Sequence, residues 1–530
     1  MARRKWLVPT IGLWMITTGA TGFADTSASS VPDHIRLTWS EDPKTTQTIS
    51  WRTDTSVPNG KVEFAVSGRS VSVVSAPAPE TLTTPIGAIH LFSAVLRGLQ
   101  PGTKYRYRVG DGTQWSPYYT FETEKIDTDR FEFLVFGDSH EKKPVYTVWQ
   151  QTVNQAYRQN PGARFMMNVG DLIYSGKDYE QWQSWFAAGR EVIASIPAMP
   201  VIGDHEPRGV TSKEQWQRPE YFVKFFPVPR NGPGDFKGEV YSFDYGPAHI
   251  AVLNSSFHYE FSDPAARQAM IRAQVEWLDA DLAATRKPWK IVVYHDATYN
   301  LAADRAGTLT RLHFGPVIDR HHVDVVFNAH DHALARSFFI KNEEFVPSAA
   351  EGTLYYVSGR AGDNAKDSLG RKIWHPFFYD PQGQTCYLLV EVDSGRMVIK
   401  ARLQDGTLID QLIINKRKPE ESTPVVPFGA YQGVRMAVFG YLLPFGKPPR
   451  QNEKGEWFVD IQALAACMSG RFDPTTLIFQ YDGGEIQLPL KEAMFIDQRE
   501  MVSLAGLQSV GFYGKYFKSM NLVMVERWRD

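Results

Sequence analysis

Five short segments of this chain each end an apolar run in side chains that bind metal ions. They read FGDSH (136–140), VGDLIY (169–174), IGDHE (202–206), VVYHD (292–296) and FNAHDH (327–332). Histidine is scarce, at 13 of 530 residues, yet five histidines fall in these segments. Their metal-binding side chains are Asp138, His140, Asp171, Asp204, His205, His295, His330 and His332. Asp and His delivered by several strands to one edge of a sheet are the ligands of a two-metal site.

The spacing within the segments suggests how two cations would be shared. Asp171 follows a glycine that lets the chain turn sharply, so its two carboxylate oxygens are placed to bridge two ions. Asp138 and His140 are two residues apart and can face one ion where a strand ends, and His330 and His332 have the same spacing. Two such cations clamp a phosphate and lower the pKa of a bound water to about 7, so that hydroxide attacks phosphorus in line.

Each of these motifs alone is more often turn chemistry than a metal site, and the interpretation rests on their joint occurrence after predicted strands. Asp296 and Asp331 adjoin predicted ligands, and they either orient imidazole rings or face outward. No motif surrounds four other histidines: His258, His313, His321 and His322. They are expected to be solvated or to cap helices, although His258 would also fit a substrate cleft.

The composition is that of a soluble globular protein. Apolar residues make up 43% of the chain and charged residues 22%, and the formal net charge is −2 without a long run of one sign. No patch for nucleic acid or for a membrane surface is indicated, so an activity toward phosphate has to come from a local site. A chain of 530 residues is expected to form several domains.

The order of predicted elements divides the chain. Residues 31–125 carry short alternating strands such as TQTISWRT and KYRYRVG between turn residues, which predicts a β-sandwich. Residues 128–416 alternate continuous apolar runs such as FEFLVF and WKIVVYH with helical stretches, which predicts an α/β domain. A polar, proline-rich linker is expected at 417–427. Residues 428–530 complete the predicted multidomain architecture as a small α+β domain.

The N-terminus resembles a secretory signal peptide. Basic residues precede a short apolar stretch, and Gly22-Phe23-Ala24 offers small residues for cleavage, so we expect residues 1–24 to be removed. The alternative is an uncleaved membrane anchor, for which the stretch is short. The expected location is secreted, extracellular or in the cell envelope, with no membrane span after cleavage. Cys386 and Cys467 are either one disulfide or two separate thiols.

The ordered motifs D-x-H, G-D, G-D-H-E, H and H-x-H resemble those of the calcineurin-like metallophosphoesterase superfamily. With the predicted β-sandwich in front, roughly residues 31–416 are similar to purple acid phosphatases. The resemblance implies a central sandwich of two sheets flanked by helices. The stretch LRGLQPGTKYRYRVG resembles a fibronectin type III-like module. The tail resembles the copper amine oxidase N-terminal-like (stalk) domain, although residues 418–530 contain no histidine for copper.

Carried over residue by residue, the resemblance implies two metal sites that share one carboxylate. The first would consist of Asp138, His140, Asp171 and His332, and the second of Asp171, Asp204, His295 and His330. His205 would orient the phosphate and protonate the leaving oxygen. Glu206 would hold His205 by hydrogen bonding. The cofactors would be two divalent or trivalent ions of Fe, Mn or Zn.

Two positions depart from the purple acid phosphatase pattern. These enzymes commonly have asparagine where this chain has Asp204, whose extra charge would tighten divalent cations and weaken an anionic substrate. They also use the tyrosine of G-D-x-x-Y as a ligand to ferric iron and usually lack the D-x-H histidine. This chain has both Tyr174 and His140. We favour His140, with Tyr174 as the alternative ligand.

The sequence therefore predicts an exported, binuclear metal-dependent hydrolase. It would cleave small phosphomonoesters, as an acid phosphatase does, by direct attack of metal-bound hydroxide. One alternative is a phosphodiesterase or nucleotidase on the same site, selected by cleft loops around 207–240 and 297–320. The other is a non-catalytic cell-envelope binding protein. In either case the C-terminal domain is a candidate for association with the cell wall.

Overall fold

The structure is a computed structural model. It describes residues 27–210, 217–302, 305, 307–366, 368–423, 433–443, 448–468, 470–473, 476–481, 484–488, 493–496 and 499–527. The predicted signal peptide, 1–24, and positions 424–427 of the predicted linker lie outside the described residues. Among the described helices, none combines the length and apolar character needed to cross a membrane.

The N-terminal part is a β-sandwich, as predicted. One sheet has the order β1-β2-β6-β5 and the other β4-β3-β7-β8. Strands such as β7 alternate exposed and buried residues, so that Trp51 and Tyr107 meet in the core between the sheets. The strands are β1 Asp33–Thr38, β2 Gln47–Asp54, β3 Lys61–Val66, β4 Ser72–Ser75, β5 Glu80–Thr84, β6 Gly87–Leu96, β7 Lys104–Gly110 and β8 Tyr119–Glu122.

The central part consists of two mixed sheets with a shared core. The first has the order β11-β10-β9-β20-β21-β22, and the second β12-β13-β14-β15-β18-β16-β17, with β19 beside β16. The strands are β9 Arg130–Phe136, β10 Met166–Val169, β11 Ala198–Val201, β12 Tyr241–Tyr245, β13 Ala248–Val252, β14 Trp289–Val293, β15 Val325–Asn328, β16 Leu334–Lys341, β17 Glu344–Val346, β18 Thr353–Ser358, β19 Phe377–Tyr379, β20 Cys386–Asp393, β21 Arg396–Leu403 and β22 Leu408–Asn415.

Helices cover the outer faces of these sheets. They are α1 Thr147–Gln159, α2 Tyr179–Ile193, α3 Glu220–Phe225, α4 Phe257–Glu260, α5 Pro264–Ala284, α6 Thr308–His313 and α7 Gly315–Arg320. Trp149 of α1 packs edge-on against Phe136 of the first sheet, with 5.2 Å between ring centroids. The long helix α5 is capped by the Asp263 carboxylate and buries Leu278 and Leu282. The predicted sandwich of two sheets flanked by helices is therefore confirmed.

The C-terminal region is β-rich with two short helices in its described part. Its strands are β23 Arg435–Val438, β24 Tyr441–Leu442, β25 Arg450–Gln451, β26 Trp457–Asp460, β27 Arg471–Asp473, β28 Ile478–Tyr481, β29 Gly484–Gln487, β30 Ala493–Ile496, β31 Arg499–Ser503, β32 Phe512–Phe517 and β33 Leu522–Arg527. Its helices are α8 Ile461–Cys467 and α9 Leu504–Ser509. Leu522 and Met524 of β33 share a buried core with Phe314 and Trp374 of the central part. The two parts therefore pack directly against each other.

The two cysteines lie apart. Cys386 is buried in β20, and Cys467 is exposed at the end of α8. Both are free thiols, so the disulfide considered from the sequence does not form. The described part of the predicted linker returns onto β22, where the Thr423 amide donates to the Ile413 carbonyl at 2.9 Å.

Candidate metal centre

Each predicted site residue follows the end of a buried strand. Strands β9, β10 and β11 run parallel in the first sheet and end just before Asp138, Asp171 and Asp204. Strands β14 and β15 run parallel in the second sheet and end just before His295 and His330. Because parallel strands present their carboxyl ends at one edge, these loops converge where the two sheets meet.

The convergence produces two groups of buried side chains that share Asp171. The first contains Asp138, His140, Asp171 and His332, and the second contains Asp171, Asp204, His295 and His330. Within each group the facing atoms, one from each residue, lie within 4.8 Å of one another. These sets are the ones that the resemblance implied.

In the first group the oxygens and nitrogens face a common centre. His332 Nε2 lies 3.1 Å from Asp138 Oδ1, and His140 Nδ1 lies 3.9 Å from Asp171 Oδ2. All four of these atoms are buried and lack a hydrogen-bond partner within the described chain. Buried polar atoms without partners are costly, and a cation among them would satisfy all four at once. The residues therefore fit a metal ion.

The second group is tighter. His295 Nε2 lies 3.3 Å from Asp171 Oδ2 and 3.2 Å from Asp204 Oδ1. His330 Nδ1 lies 2.8 Å from Asp204 Oδ1 and 3.1 Å from His295 Nε2. Two ring nitrogens this close to each other and to two carboxylates are the donor set of a second cation.

The backbone of the site is unusual. Asp138, Asp171, His330 and His332 have φ angles of 45°, 54°, 70° and 59°, in the left-handed region. Such residues cost about 1–3 kcal/mol each and are concentrated at functional sites. Neighbouring glycines permit the close approach of the loops, because a Cβ on Gly203 would stand 2.2 Å from Asp171 Oδ1.

Hydrogen bonds outside the two groups decide which ring nitrogen faces inward. His295 Nδ1 donates to the Val169 carbonyl at 2.7 Å, which leaves Nε2 for the second group. His332 Nδ1 likewise donates to the Asn364 carbonyl. The Nε2 atom of His330 lies 3.4 Å from an Asp296 carboxylate oxygen, so its Nδ1 faces the centre. Asp296 therefore has the orienting position considered from the sequence.

Asp331 was the other residue considered for orienting an imidazole ring, but its carboxylate bonds a backbone amide. Its carboxylate accepts from the Leu301 amide at 2.5 Å and pairs with the Arg305 guanidinium. It thus ties the loop between His330 and His332 to the segment that follows His295.

Burial and mutual repulsion shift the ionisation of these groups strongly. Burial raises the pKa of Asp138 to about 7, and nearby Asp171 acts in the same direction. Burial also lowers the pKa values of His140 and His332 well below their ordinary values, so these rings are neutral and can bind a cation. For His295 burial acts in the same direction, but the carboxylates of Asp171 and Asp204 outweigh it and raise the pKa.

His205 lies at the rim, with its side chain 12% exposed. Its Nδ1 donates to the Tyr174 carbonyl at 2.6 Å, and its Nε2 lies 3.8 Å from Asp171 Oδ2. The ring stacks on His140 with 4.4 Å between centroids. It is therefore placed beside both groups without belonging to either.

The hydrogen-bond partners of Glu206 differ from the predicted partner, His205. Its carboxylate accepts from the backbone amides of Asp171 and Leu172 at 3.0 and 2.8 Å, and from that of Gly203 at 2.6 Å. It therefore fastens two loops together, whereas the His205 ring is oriented by a carbonyl. Burial, and after it the charge of Asp171, raises the pKa of Glu206 to about 8.

Tyr174 is half-buried and packs beside the first group. Its ring centroid is 5.9 Å from that of His140, and the Arg208 guanidinium carbon lies 4.5 Å over the ring. The Arg208 Nη1 atom also lies 3.4 Å from His205 Nδ1. Tyr174 thus forms part of a stack of cation and aromatic rings at the rim.

A cleft of about 110 Å³ opens beside the second group. The cleft is lined by His258, Tyr259, Asp296, Arg305 and His330, among others. A place for His258 in the substrate cleft was one interpretation of the sequence. Sequence reasoning missed Arg305 and Asn364. The side-chain amide group of Asn364 lies 2.7 Å from His140 Nε2, and Asn364 carries no motif that would have singled it out.

The two-sheet fold and the paired Asp/His groups together define a metallophosphoesterase. Family models agree: residues 32–123 match "Purple acid Phosphatase, N-terminal domain" and residues 131–334 match "Calcineurin-like phosphoesterase". The chain thus carries the two domains of a purple acid phosphatase-like hydrolase. The similarity of 428–530 to a stalk domain stays a prediction.

Individual relatives agree with this assignment. The chain is 27% identical to acid phosphatase type 7 of Mus musculus over 371 residues, which cover 62% of this chain and 78% of the mouse protein. It is 26% identical to Fe(3+)-Zn(2+) purple acid phosphatase 12 of Arabidopsis thaliana, over 53% of this chain and 61% of the plant protein. The fold matches purple acid phosphatase PPD1 of yellow lupin with a TM-score of 0.59 at 18% identity, covering 76% and 78% of the two chains.

Proposed function

We propose that this protein is an exported phosphomonoesterase that uses water as the nucleophile. One cation would be held by Asp138, His140, Asp171 and His332, and the other by Asp171, Asp204, His295 and His330. The observation that carries the proposal is the Asp171 carboxylate, which belongs to both groups and whose Oδ2 is buried without a hydrogen-bond partner among the described residues. Two bound cations would polarise a phosphate and lower the pKa of a coordinated water to about 7.

The residues of the chain account for the remaining steps. A phosphate at the groups would lie within reach of His205, whose Nδ1–H is engaged by the Tyr174 carbonyl. When the ring carries a second proton, that proton is on Nε2, the nitrogen nearer to Asp171, and it would be the one given to the leaving oxygen. His258, Tyr259 and Arg305 line the cleft in which the organic part of a small substrate would lie.

We assign the ligand role in the first site to His140 and a packing role to Tyr174. His140 Nδ1 is buried and faces Asp171, and it has no hydrogen-bond partner in the part of the chain that the structure describes. The Tyr174 ring, by contrast, lies under the Arg208 guanidinium. The visible spectrum of the iron-loaded protein tests this assignment. We expect no tyrosinate-to-iron band, and a band that disappears in Tyr174→Phe would contradict it.

The proposed reaction is tested with protein stripped by a chelator and reloaded with Fe, Mn or Zn. We expect two ions per chain and faster hydrolysis of 4-nitrophenyl phosphate than of bis(4-nitrophenyl) phosphate. Asp171→Asn should lose at least one ion and nearly all turnover, whereas Asp279→Asn, on the exposed face of α5, should retain both. Preference for the diester would favour the phosphodiesterase alternative. Absence of metal and of hydrolysis would favour the non-catalytic one.

Export is supported by the basic and apolar N-terminal sequence. Expression of the full chain in a bacterial host, followed by fractionation and N-terminal sequencing, tests it. A mature protein that begins after Ala24 and is found outside the cytoplasm is the expected result. An intact N-terminus in the cytoplasm would contradict export. Association of the C-terminal domain with a cell wall is tested by sedimentation with purified wall material.

A further inference from the structure

A turn of the C-terminal region contacts the segment that borders the substrate cleft. Strands β23 and β24 form a hairpin, Arg435–Leu442, whose turn contains Gly440 at a φ of 79°. The Tyr441 hydroxyl donates to the Leu301 carbonyl at 3.0 Å, and the Gly440 carbonyl accepts from the Ile373 amide at 3.0 Å. A Cβ on Gly440 would lie 2.5 Å from the Trp374 ring, so only glycine allows this approach.

The contact at Leu301 continues to the metal centre. The Leu301 amide donates to Asp331, which lies between His330 and His332. The other oxygen of the Asp331 carboxylate pairs with Arg305, and Arg305 lines the cleft. One residue, Leu301, is thus held by the C-terminal hairpin through its carbonyl and by the metal-centre loop through its amide.

The far end of the same segment is held by a second contact. Arg311 of α6 pairs with Glu526 of β33, and both side chains are at most 1% exposed. The Arg311 guanidinium also lies within 5.7 Å of the ring centroids of Tyr299, Trp374 and Tyr513. Leu301 and Arg311 are therefore both held by the C-terminal region, and the cleft residue Arg305 lies between them in the sequence.

We propose that the C-terminal region is a positioning element of the substrate cleft, and that Tyr441 acts through Leu301 and Asp331 to place Arg305 at the cleft. The region is then part of the enzyme's active-site construction rather than only a module attached to it. Tyr441 belongs neither to the metal groups nor to the cleft lining. Because the residue that it reaches through Leu301 and Asp331 is Arg305, which lines the cleft, the expected effect is on substrate binding. The kinetic part of this proposal rests on the phosphatase function proposed above.

Tyr441→Phe removes only the hydroxyl and tests the proposal in the full chain. Its matched control is Tyr516→Phe, whose hydroxyl bonds Asn521 at 2.8 Å inside the C-terminal region. We expect Tyr441→Phe to raise KM for 4-nitrophenyl phosphate about fivefold, the change that loss of one ordinary hydrogen bond gives. The metal content and kcat should be unchanged, and Tyr516→Phe should match the wild type.

Hydrogen exchange provides a readout that needs no activity. Peptides covering residues 299–311 should exchange faster in Tyr441→Phe than in the wild type and in Tyr516→Phe. Unchanged exchange and unchanged KM in Tyr441→Phe would overturn the positioning role. If the metal-loaded wild type hydrolyses no phosphate ester, the proposed function fails, while the exchange comparison still decides the positioning role.

Discussion

The ring of His205 turns its Nε2 atom toward Asp171, at 3.8 Å from Oδ2. This orientation follows from the hydrogen bond that Nδ1–H donates to the Tyr174 carbonyl, an oxygen that can only accept. Because that bond keeps a hydrogen on Nδ1, a second proton on the ring is carried by Nε2, the nitrogen beside the shared carboxylate. A carbonyl in the loop after β10 therefore decides which nitrogen of the doubly protonated ring would act as the proposed acid.

His205→Asn should show whether this ring protonates the leaving oxygen. An alkyl phosphate needs that proton, so its kcat should fall by about 10²-fold or more. An aryl phosphate with an acidic leaving group should lose far less, because its leaving oxygen departs without a proton. Steady-state kinetics on both substrates measures the difference, and His322→Asn, at an exposed position, is the control. Equal losses on both substrates would contradict the role.

Asp204→Asn should separate metal retention from substrate affinity. The substitution keeps an oxygen beside His295 and His330 but removes one negative charge from the site. We expect the second ion to be lost at a lower chelator concentration, and KM for phosphate esters in excess metal to fall. Metal analysis after graded dialysis and steady-state kinetics provide the two readouts. A higher KM together with tighter binding of the second ion would contradict the effect expected from the charge of Asp204.

His249 should make stability depend on pH at alkaline values. Burial opposes protonation of this ring, but hydrogen bonds at 2.8 Å with Asp244 and Asp281 raise its pKa to about 9. Because the unfolded value is about 6.5, the contribution is fully present below that pH and is lost as pH rises through about 9. The predicted loss is on the order of 3 kcal/mol. Urea unfolding should show this loss in the wild type and not in His249→Gln.

Glu526→Gln should destabilise the contact between the C-terminal and central parts. Removing one member of a buried ion pair leaves Arg311 charged in an apolar cage, which costs about 3–5 kcal/mol. Thermal unfolding should therefore shift to a clearly lower temperature. The control is Glu41→Gln, whose partner Arg97 is exposed and whose loss should have little effect. Equal unfolding temperatures of the two variants would contradict the expectation that the buried ion pair contributes more stability than the exposed one.

Much of the fold could be predicted because its signals are local. Alternating strands indicated the β-sandwich, and continuous apolar runs such as β14 indicated sheets covered on both faces. The same runs placed His295 and Asp171 at strand ends, where the structure brings them together. By contrast, the contact of Glu206 was predicted with the wrong partner, because its hydrogen bonds go to amides of a loop more than 30 residues away.

The sequence by itself indicated the class of site, because metal-binding side chains follow the ends of several predicted strands. It also determined the family, through the order of five motifs. Only the tertiary structure brought together the strand ends of two different sheets. Only the tertiary structure decided which ring nitrogen faces each group, since Asn364 and Asp296 reach those rings from distant loops. Only the tertiary structure also joined Tyr441 to Leu301, because a contact across 140 residues leaves no periodic trace in either segment.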